Sequence, residues 1–201
     1  MNMNNDLFVI NPSMKINHVH LKVSNLPESI NFYNSILGFK VLKEDISTNT
    51  AFLSPDYSYV NKEKILDYQS SLIALSQLKD NFEPKYLGKL KRQAGLYHFA
   101  ILLPGREYLA AFLRYLKENL DPQYYEGMAD HAVSESIYIH DPDGIGIEIY
   151  RDRSPSKWIW NNNKVHVVKP LDVNDLLTRY ATKVWDGMPI GTTISHAFFY
   201  A

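Results

Sequence analysis

The stretch from His131 to Arg153, HAVSESIYIHDPDGIGIEIYRDR, decides the fold of this chain. At its centre lies DPDG, residues 141–144, a cluster of the residue types that form tight turns between strands. After the turn, isoleucines at positions 145, 147 and 149 share one face of a predicted strand, because successive strand side chains point to opposite sides. Glu148 lies on the other face. Taken alone, its carboxylate fits either a solvated sheet surface or a polar pocket, so the rest of the chain has to decide.

Composition limits the classes of function. The 201 residues carry a net charge of −1, which gives no reason to expect nucleic acid or an anionic membrane as a partner. There is no cysteine, so disulfides and thiolate ligands are excluded and a metal site would need histidine and carboxylate. No apolar run approaches the roughly 20 residues of a membrane span, and the polar start is not a signal peptide. We expect a cytoplasmic protein.

The first part of the chain predicts the order β-α-β-β-β, after a loose leader over residues 1–13. Residues 15–23 alternate as a strand, with His18 and His20 on the face opposite the core. A helix is predicted from a cap at Asn25 to a stop at Gly38. Strands follow near 39–44, 49–53 and 71–76, and residues 55–68 are interpreted as a loop insertion.

The same order then repeats. After a charged connector over residues 79–94, residues 96–103 alternate as a strand and Pro104 opens a helix that extends to Leu120. Strands are predicted near 125–130, 135–140 and 145–150. The two copies, about 14–78 and 95–153, align at Ile16-x-His18 and Leu96-x-His98. Such a repeat indicates that the two units cover one another's sheets.

Residues 154–201 differ in character. An irregular segment leads to a short helix predicted over 172–180, capped by Asp172. The strand pattern then begins a third time, with Ile194-x-His196 matching the two earlier motifs. We interpret this region as a linker and the truncated start of a third module, as in a shortened relative of a four-module protein.

These motifs resemble those of the vicinal oxygen chelate superfamily, which includes glyoxalases, bleomycin resistance proteins and extradiol dioxygenases. The matching segments are NHVHLKV, LYHFAILL and DPDGIGIEIY, and the likeness covers residues 14–153. The resemblance implies an α+β fold in which paired βαβββ modules form an eight-stranded cup around a metal ion. It implies His18, His98 and Glu148 as ligands, and it is greatest for catechol 2,3-dioxygenase-like proteins of the glyoxalase family.

The chemistry of these side chains agrees with that expectation. Two imidazoles and one carboxylate leave about three positions open on an octahedral ion, a set suited to Fe(II) or Mn(II), with Zn or Ni as alternatives. A small oxygenated substrate can then bind the ion through two adjacent oxygens. Residues 72–75, at the place of a fourth ligand, contain no carboxylate, which favours the three-ligand site.

The resemblance also assigns catalytic residues, with one departure. His131 and Tyr138 match residues that line the substrate pocket of extradiol dioxygenases, and His20 shares the metal face of its strand. Residues 77–97, however, lack the acid/base histidine of those enzymes. His20 or His131 would have to substitute for it, because ring cleavage needs a proton-transfer group.

Three functions therefore stay open. The first is extradiol cleavage of a small aromatic diol, and the second is a glyoxalase-type isomerase or thiol transferase. The third is a non-catalytic binding module or truncated remnant. In this third case the strand 193–200, with its aromatic side chains, would need cover from the sheet or from a second copy in a homodimer.

Overall fold

The computed structural model describes residues 11, 14–56, 71–78, 95–158, 160, 165 and 168–200. Most of the leader 1–13 and of the predicted insertion 55–68, and all of the connector 79–94, lie outside these ranges. Among the helices of the described residues, none has the length and apolar character that a membrane span requires.

The first unit has the predicted element order. Its elements are β1 (Val19–Val23), α1 (Leu26–Asn31), a π-helical segment (Phe32–Ile36), β2 (Lys40–Asp45), β3 (Thr50–Ser54) and β4 (Ile73–Gln77). The Asn25 side chain caps α1 by accepting a hydrogen bond from the Glu28 N–H. Gly38 ends the helical region with φ +76°, a conformation that favours glycine.

The predicted single helix over 25–38 is wrong in one respect, since its second half is π-helical. There the Leu37 N–H donates to the Phe32 carbonyl, five residues earlier. This wider turn carries Phe32 and Tyr33, both of which are buried in the core. Sequence periodicity does not distinguish the two helix types over so short a segment.

The second unit repeats the order and an extension follows it. The elements are β5 (Gly95–Leu102), α2 (Arg106–Asn119), a 3-10 turn (Pro122–Tyr124), β6 (Tyr125–Asp130), β7 (Ser134–His140), β8 (Gly146–Asp152), a 3-10 turn (Pro155–Lys157), α3 (Val173–Arg179) and β9 (Thr193–Tyr200). The predicted strands and helices therefore have counterparts throughout the described ranges.

Two sheets make up the α+β fold, in the orders β1-β4-β3-β2 and β6-β7-β8-β5-β9. In each unit the first strand pairs in parallel with the last, β1 with β4 and β5 with β8. The ninth strand, β9, pairs antiparallel with β5. An isolated antiparallel bridge between Ile194 and Ile16 also joins β9 to the segment that leads into β1. A strand of the extension thus lies between the two repeated units.

The apolar strand faces that the sequence predicts are buried in the core. Ile147 and Ile149 of β8 are buried, as are Phe99 and Ile101 on the neighbouring β5. The opposite face of these strands is left for polar side chains, and it is this face that carries His98 and Glu148.

The extension is fixed to both units. Arg106 on α2 donates to buried Glu135 and, at 2.8 Å, to Asp175 on α3. Farther along, Trp185 packs on Phe112 with ring centroids 4.8 Å apart. The Met188 N–H then donates to the Gly38 carbonyl at 2.9 Å. Through these contacts the extension packs first on the second unit and then on the first, and they fix the position at which β9 begins.

A buried hydrogen bond joins the π-helical segment to the turn before β8. The Tyr33 hydroxyl donates to Asp141 Oδ2 at 3.0 Å, while Asp141 Oδ1 accepts the backbone N–H groups of Asp143 and Ile145. We expect Tyr33→Phe to lower the free energy of unfolding by about 1–3 kcal/mol, because a buried acceptor loses its donor. Urea denaturation followed by circular dichroism measures the change.

The matched control is Tyr115→Phe. The Tyr115 hydroxyl also bridges the two units, donating to the Ser35 carbonyl at 2.6 Å, but in an exposed position. Water can replace this donor, so we expect a change below about 0.5 kcal/mol. Equal effects of the two substitutions would contradict the importance assigned to the buried bond.

Candidate metal centre

Three adjacent strands bring the candidate ligands together around Ala100. The residue beside Ala100 on the parallel strand β8 is Glu148, and the residue beside it on the antiparallel strand β9 is His196. His98 stands two residues earlier on β5 and therefore on the same face as Ala100. Because Ala100 carries only a methyl group, the three larger side chains can converge above it.

The ligand atoms form a nearly equilateral triangle. His98 Nε2 lies 3.4 Å from Glu148 Oε2 and 3.3 Å from His196 Nε2, while His196 Nε2 lies 3.2 Å from the same Glu148 oxygen. Among the described residues, this is the group of histidines and carboxylates whose geometry can hold a metal ion.

The size of the triangle fits a metal ion. Three atoms bound to a tetrahedral ion at about 2.0–2.1 Å lie about 3.3–3.4 Å apart. Around an octahedral ion at about 2.1 Å, the corresponding separation is about 3 Å, a few tenths of an ångström less than observed. Small rotations of the side chains cover that difference. Two imidazoles and one carboxylate suit several divalent transition metals, so the donor set alone does not choose among them.

Gly146 makes the close approach of His98 possible. It stands directly opposite His98 on β8, and a Cβ added to Gly146 would lie 2.4 Å from the Tyr97 carbonyl oxygen and 3.0 Å from His98 Cβ. The second glycine of DPDGIGIE therefore has a role at the site, in addition to the turn made by the first.

The carboxylate of Glu148 is buried, with 8% of its side chain exposed, yet it is ionised. Burial alone would raise its pKa, but four hydrogen bonds outweigh burial and lower the pKa well below the usual value. The partners in those bonds are His196, His98, Ser136 and Tyr138. A charge that would be costly to bury alone is thus held ready for a cation.

A second layer of side chains continues from Glu148. The Tyr138 hydroxyl donates to Glu148 Oε1 at 3.0 Å, and His131 Nε2 lies 2.8 Å from the same hydroxyl oxygen. Since the Tyr138 proton points to Glu148, His131 is the donor in the other bond. Burial, with the charge of Glu148, raises the pKa of Tyr138. His131 is therefore linked to the triangle through Tyr138.

The structure brings two of the three predicted ligands together with a histidine that was not among the predicted ligands. His98 and Glu148 are neighbours, but the cluster contains His196 in place of His18. The antiparallel bridge between Ile16 and Ile194 explains why His18 is not in this cluster. In an antiparallel pair, residues that follow Ile16 lie beside residues that precede Ile194, and His18 is therefore directed away from His196. The ligand role of His18 stays a prediction, as does the catalytic role of His20, whose Nε2 lies 2.7 Å from Ser76 Oγ.

The sequence did contain a signal for His196. Ile194-x-His196 is the third copy of the motif that marks His18 and His98, although by itself the motif indicates only the start of another module. Antiparallel pairing of β5 with β9 places the histidines of the second and third copies diagonally next to one another, with ring centroids 5.4 Å apart.

One side of the triangle is open to solvent. The His196 side chain is 47% exposed, whereas that of His98 is 15% exposed. Phe198, two residues after His196, stacks on the His98 ring with centroids 5.7 Å apart and an interplanar angle of 12°. A small molecule that enters from this side would contact an aromatic ring beside the nitrogen atoms that could bind the metal.

Residues 15–149 match the family model described as the glyoxalase/bleomycin resistance protein/dioxygenase superfamily. The chain belongs to this superfamily. A solved structure of a glyoxylase/bleomycin resistance protein/dioxygenase domain from Frankia sp. EAN1pec has the same fold. It aligns with a TM-score of 0.51 and 20% identity over 70% of this chain and 98% of that chain.

Two curated relatives are enzymes of Bacillus. A catechol-2,3-dioxygenase of Bacillus subtilis (strain 168) is 34% identical over 189 residues, which cover 93% of this chain and 59% of that protein. A trivalent organoarsenical cleaving enzyme of Bacillus sp. (strain MD1) is 29% identical over 134 residues, covering 65% of this chain and 69% of that enzyme. The chain thus spans about three fifths of the length of the Bacillus subtilis relative.

Alanine substitutions at His196 and His18 distinguish the two ligand sets. If His196 completes the triangle, His196→Ala should raise the dissociation constant for Mn(II) more than about 100-fold, beyond the 10–100-fold typical of residues that only support a ligand. His18→Ala should leave it within about threefold. Titration of free Mn(II) by electron paramagnetic resonance measures both. The reverse order of effects would assign the third ligand to His18.

Proposed function

We propose that this chain forms the metal centre of a dioxygenase that cleaves a small aromatic diol next to its two hydroxyls. The observation that carries the proposal is the triangle of His98 Nε2, His196 Nε2 and Glu148 Oε2. A divalent ion held by these atoms, with Fe(II) or Mn(II) the expected metal, would act as a Lewis acid and as a template for two adjacent substrate oxygens.

The neighbouring side chains suit this reaction. A diol that binds as a dianion has to lose two protons, and the ring-opened product regains one of them when it leaves as a carboxylate, with the other proton released to solvent. His131 is partly exposed and is hydrogen bonded to the Tyr138 hydroxyl, which contacts Glu148 directly. This pair supports His131, rather than His20, as the substitute for the acid/base histidine that residues 77–97 lack, because His20 Nε2 is bonded to Ser76 Oγ on the other sheet.

The aromatic surroundings also favour an aromatic substrate. Phe198 and Tyr97 both contact the His98 ring, with centroids 5.7 and 5.2 Å from it, and their own centroids are 6.1 Å apart. A flat ring whose two oxygens point to the triangle can stack on or pack edge-on against these side chains. The resemblance of the chain to a catechol-2,3-dioxygenase supports the same class of substrate.

Oxygen consumption tests the proposal. Protein loaded anaerobically with Fe(II) is mixed with catechol and air-saturated buffer, and O2 is followed by electrode while the ring-opened product is followed by absorbance. We expect one O2 consumed for each catechol. His131→Asn should lower kcat by about 10²–10⁴-fold, the usual contribution of a proton-transfer group, and leave Mn(II) binding unchanged.

The control variant is His140→Asn. His140 lies on the same face of β7 as Tyr138, but its ring nitrogens contact the carbonyls of Gln123 and Asp141 instead of the cluster. We expect kcat within about twofold of the parent. Metal-loaded protein that consumes no O2 but converts a hemithioacetal would contradict ring cleavage and favour the isomerase alternative.

A further inference from the structure

Ser136 occupies a position on β7 that nothing in the pattern of the sequence marks as functional. Its side chain is completely buried, and its hydroxyl donates to Glu148 Oε1 at 2.7 Å. The residue directly opposite on β8 is Tyr150, so Ser136 reaches Glu148 diagonally across the strand pair.

The two oxygens of Glu148 therefore have different surroundings. Oε1 accepts hydrogen bonds from the hydroxyls of Ser136 and Tyr138. Oε2 faces the imidazole nitrogens of His98 and His196 at 3.4 and 3.2 Å. A carboxylate oxygen has about two lone-pair directions, and two hydroxyl donors use both of those on Oε1. Only Oε2 is left with its lone pairs directed to the triangle.

We propose that Ser136 is a positioning residue that makes Glu148 a one-oxygen ligand. This inference rests on the metal centre proposed above. A glutamate carboxylate can bind an ion through one oxygen or through both. If both oxygens of Glu148 bound, they would take one of the three open positions of an octahedral ion, and a substrate with two oxygens would then fill the remaining two. The Ser136 hydroxyl opposes this mode by holding Oε1 away from the ion.

Tyr138 does not make Ser136 redundant. The Tyr138 hydroxyl is shared between Glu148 and His131, and in the proposed reaction it takes part in proton exchange. A donor that moves its proton cannot hold a carboxylate in one orientation throughout. Ser136 is buried and its hydroxyl donates to Oε1, so that oxygen keeps one donor when the Tyr138 proton moves.

The test compares Mn(II) binding by the intact chain and by Ser136→Ala. The substitution should weaken binding about 10–100-fold, the range typical of residues that orient a ligand. It should also lower the number of water molecules bound to Mn(II) by one, because Glu148 is then free to use both oxygens. Titration followed by electron paramagnetic resonance gives the dissociation constant. The relaxation rate of water protons in the presence of the bound Mn(II) gives the number of bound waters.

Two further variants complete the experiment. Ser136→Thr keeps a hydroxyl and should restore both the affinity, to within about threefold, and the water count. Ser134→Ala removes a hydroxyl from the same face of the same strand, two residues away and also buried, and should change neither. Circular dichroism verifies that all variants are folded.

The outcomes separate this inference from the proposed function. If the intact chain binds no Mn(II), the metal centre itself is wrong. If the intact chain binds Mn(II) and Ser136→Ala has the same affinity and the same number of bound waters, the positioning role is overturned and the metal centre stands. A loss of affinity that occurs equally in Ser134→Ala would also overturn it, because the effect would then be one of general packing.

Discussion

The antiparallel pairing of β5 with β9 is the constraint on which the candidate site depends. Glu148 and His98 come from one unit, and their parallel strands would meet without any help from the extension. His196 reaches them only because β9 lies along the free edge of β5. The contacts of the extension with α2 and with Gly38 hold in place the strand that completes the triangle.

The burial of Glu148 shows why the surrounding polar side chains are needed. A carboxylate removed from water requires hydrogen bonds or a cation to offset the lost hydration. Ser136 and Tyr138 satisfy one oxygen, and the two histidines face the other. A cation can therefore approach the Glu148 charge from one direction only. Tyr138 is hydrogen bonded to the same carboxylate, and His131 is hydrogen bonded to Tyr138.

Most of the fold could be predicted from the sequence because its signals are local. Alternating strands, a cap at Asn25 and the DPDG turn each depend on a few neighbouring residues, and the repeat adds which strands belong together. The prediction of His98 and Glu148 as ligands follows from the resemblance of their segments to the motifs of the superfamily. The choice between His18 and His196 depends instead on which strand pairs with β5, and the same Ile-x-His motif occurs at both places. Strand pairing between distant segments is not encoded in that motif, and the role of Ser136 depends on a diagonal contact that spacing does not reveal.

The most direct test of this account is a crystal structure of the chain grown with Mn(II), with anomalous data collected near the manganese edge. The account predicts one strong anomalous peak about 2.0–2.3 Å from His98 Nε2, His196 Nε2 and Glu148 Oε2, with Glu148 Oε1 still bound to the hydroxyls of Ser136 and Tyr138. A peak coordinated by His18 instead of His196 would contradict it.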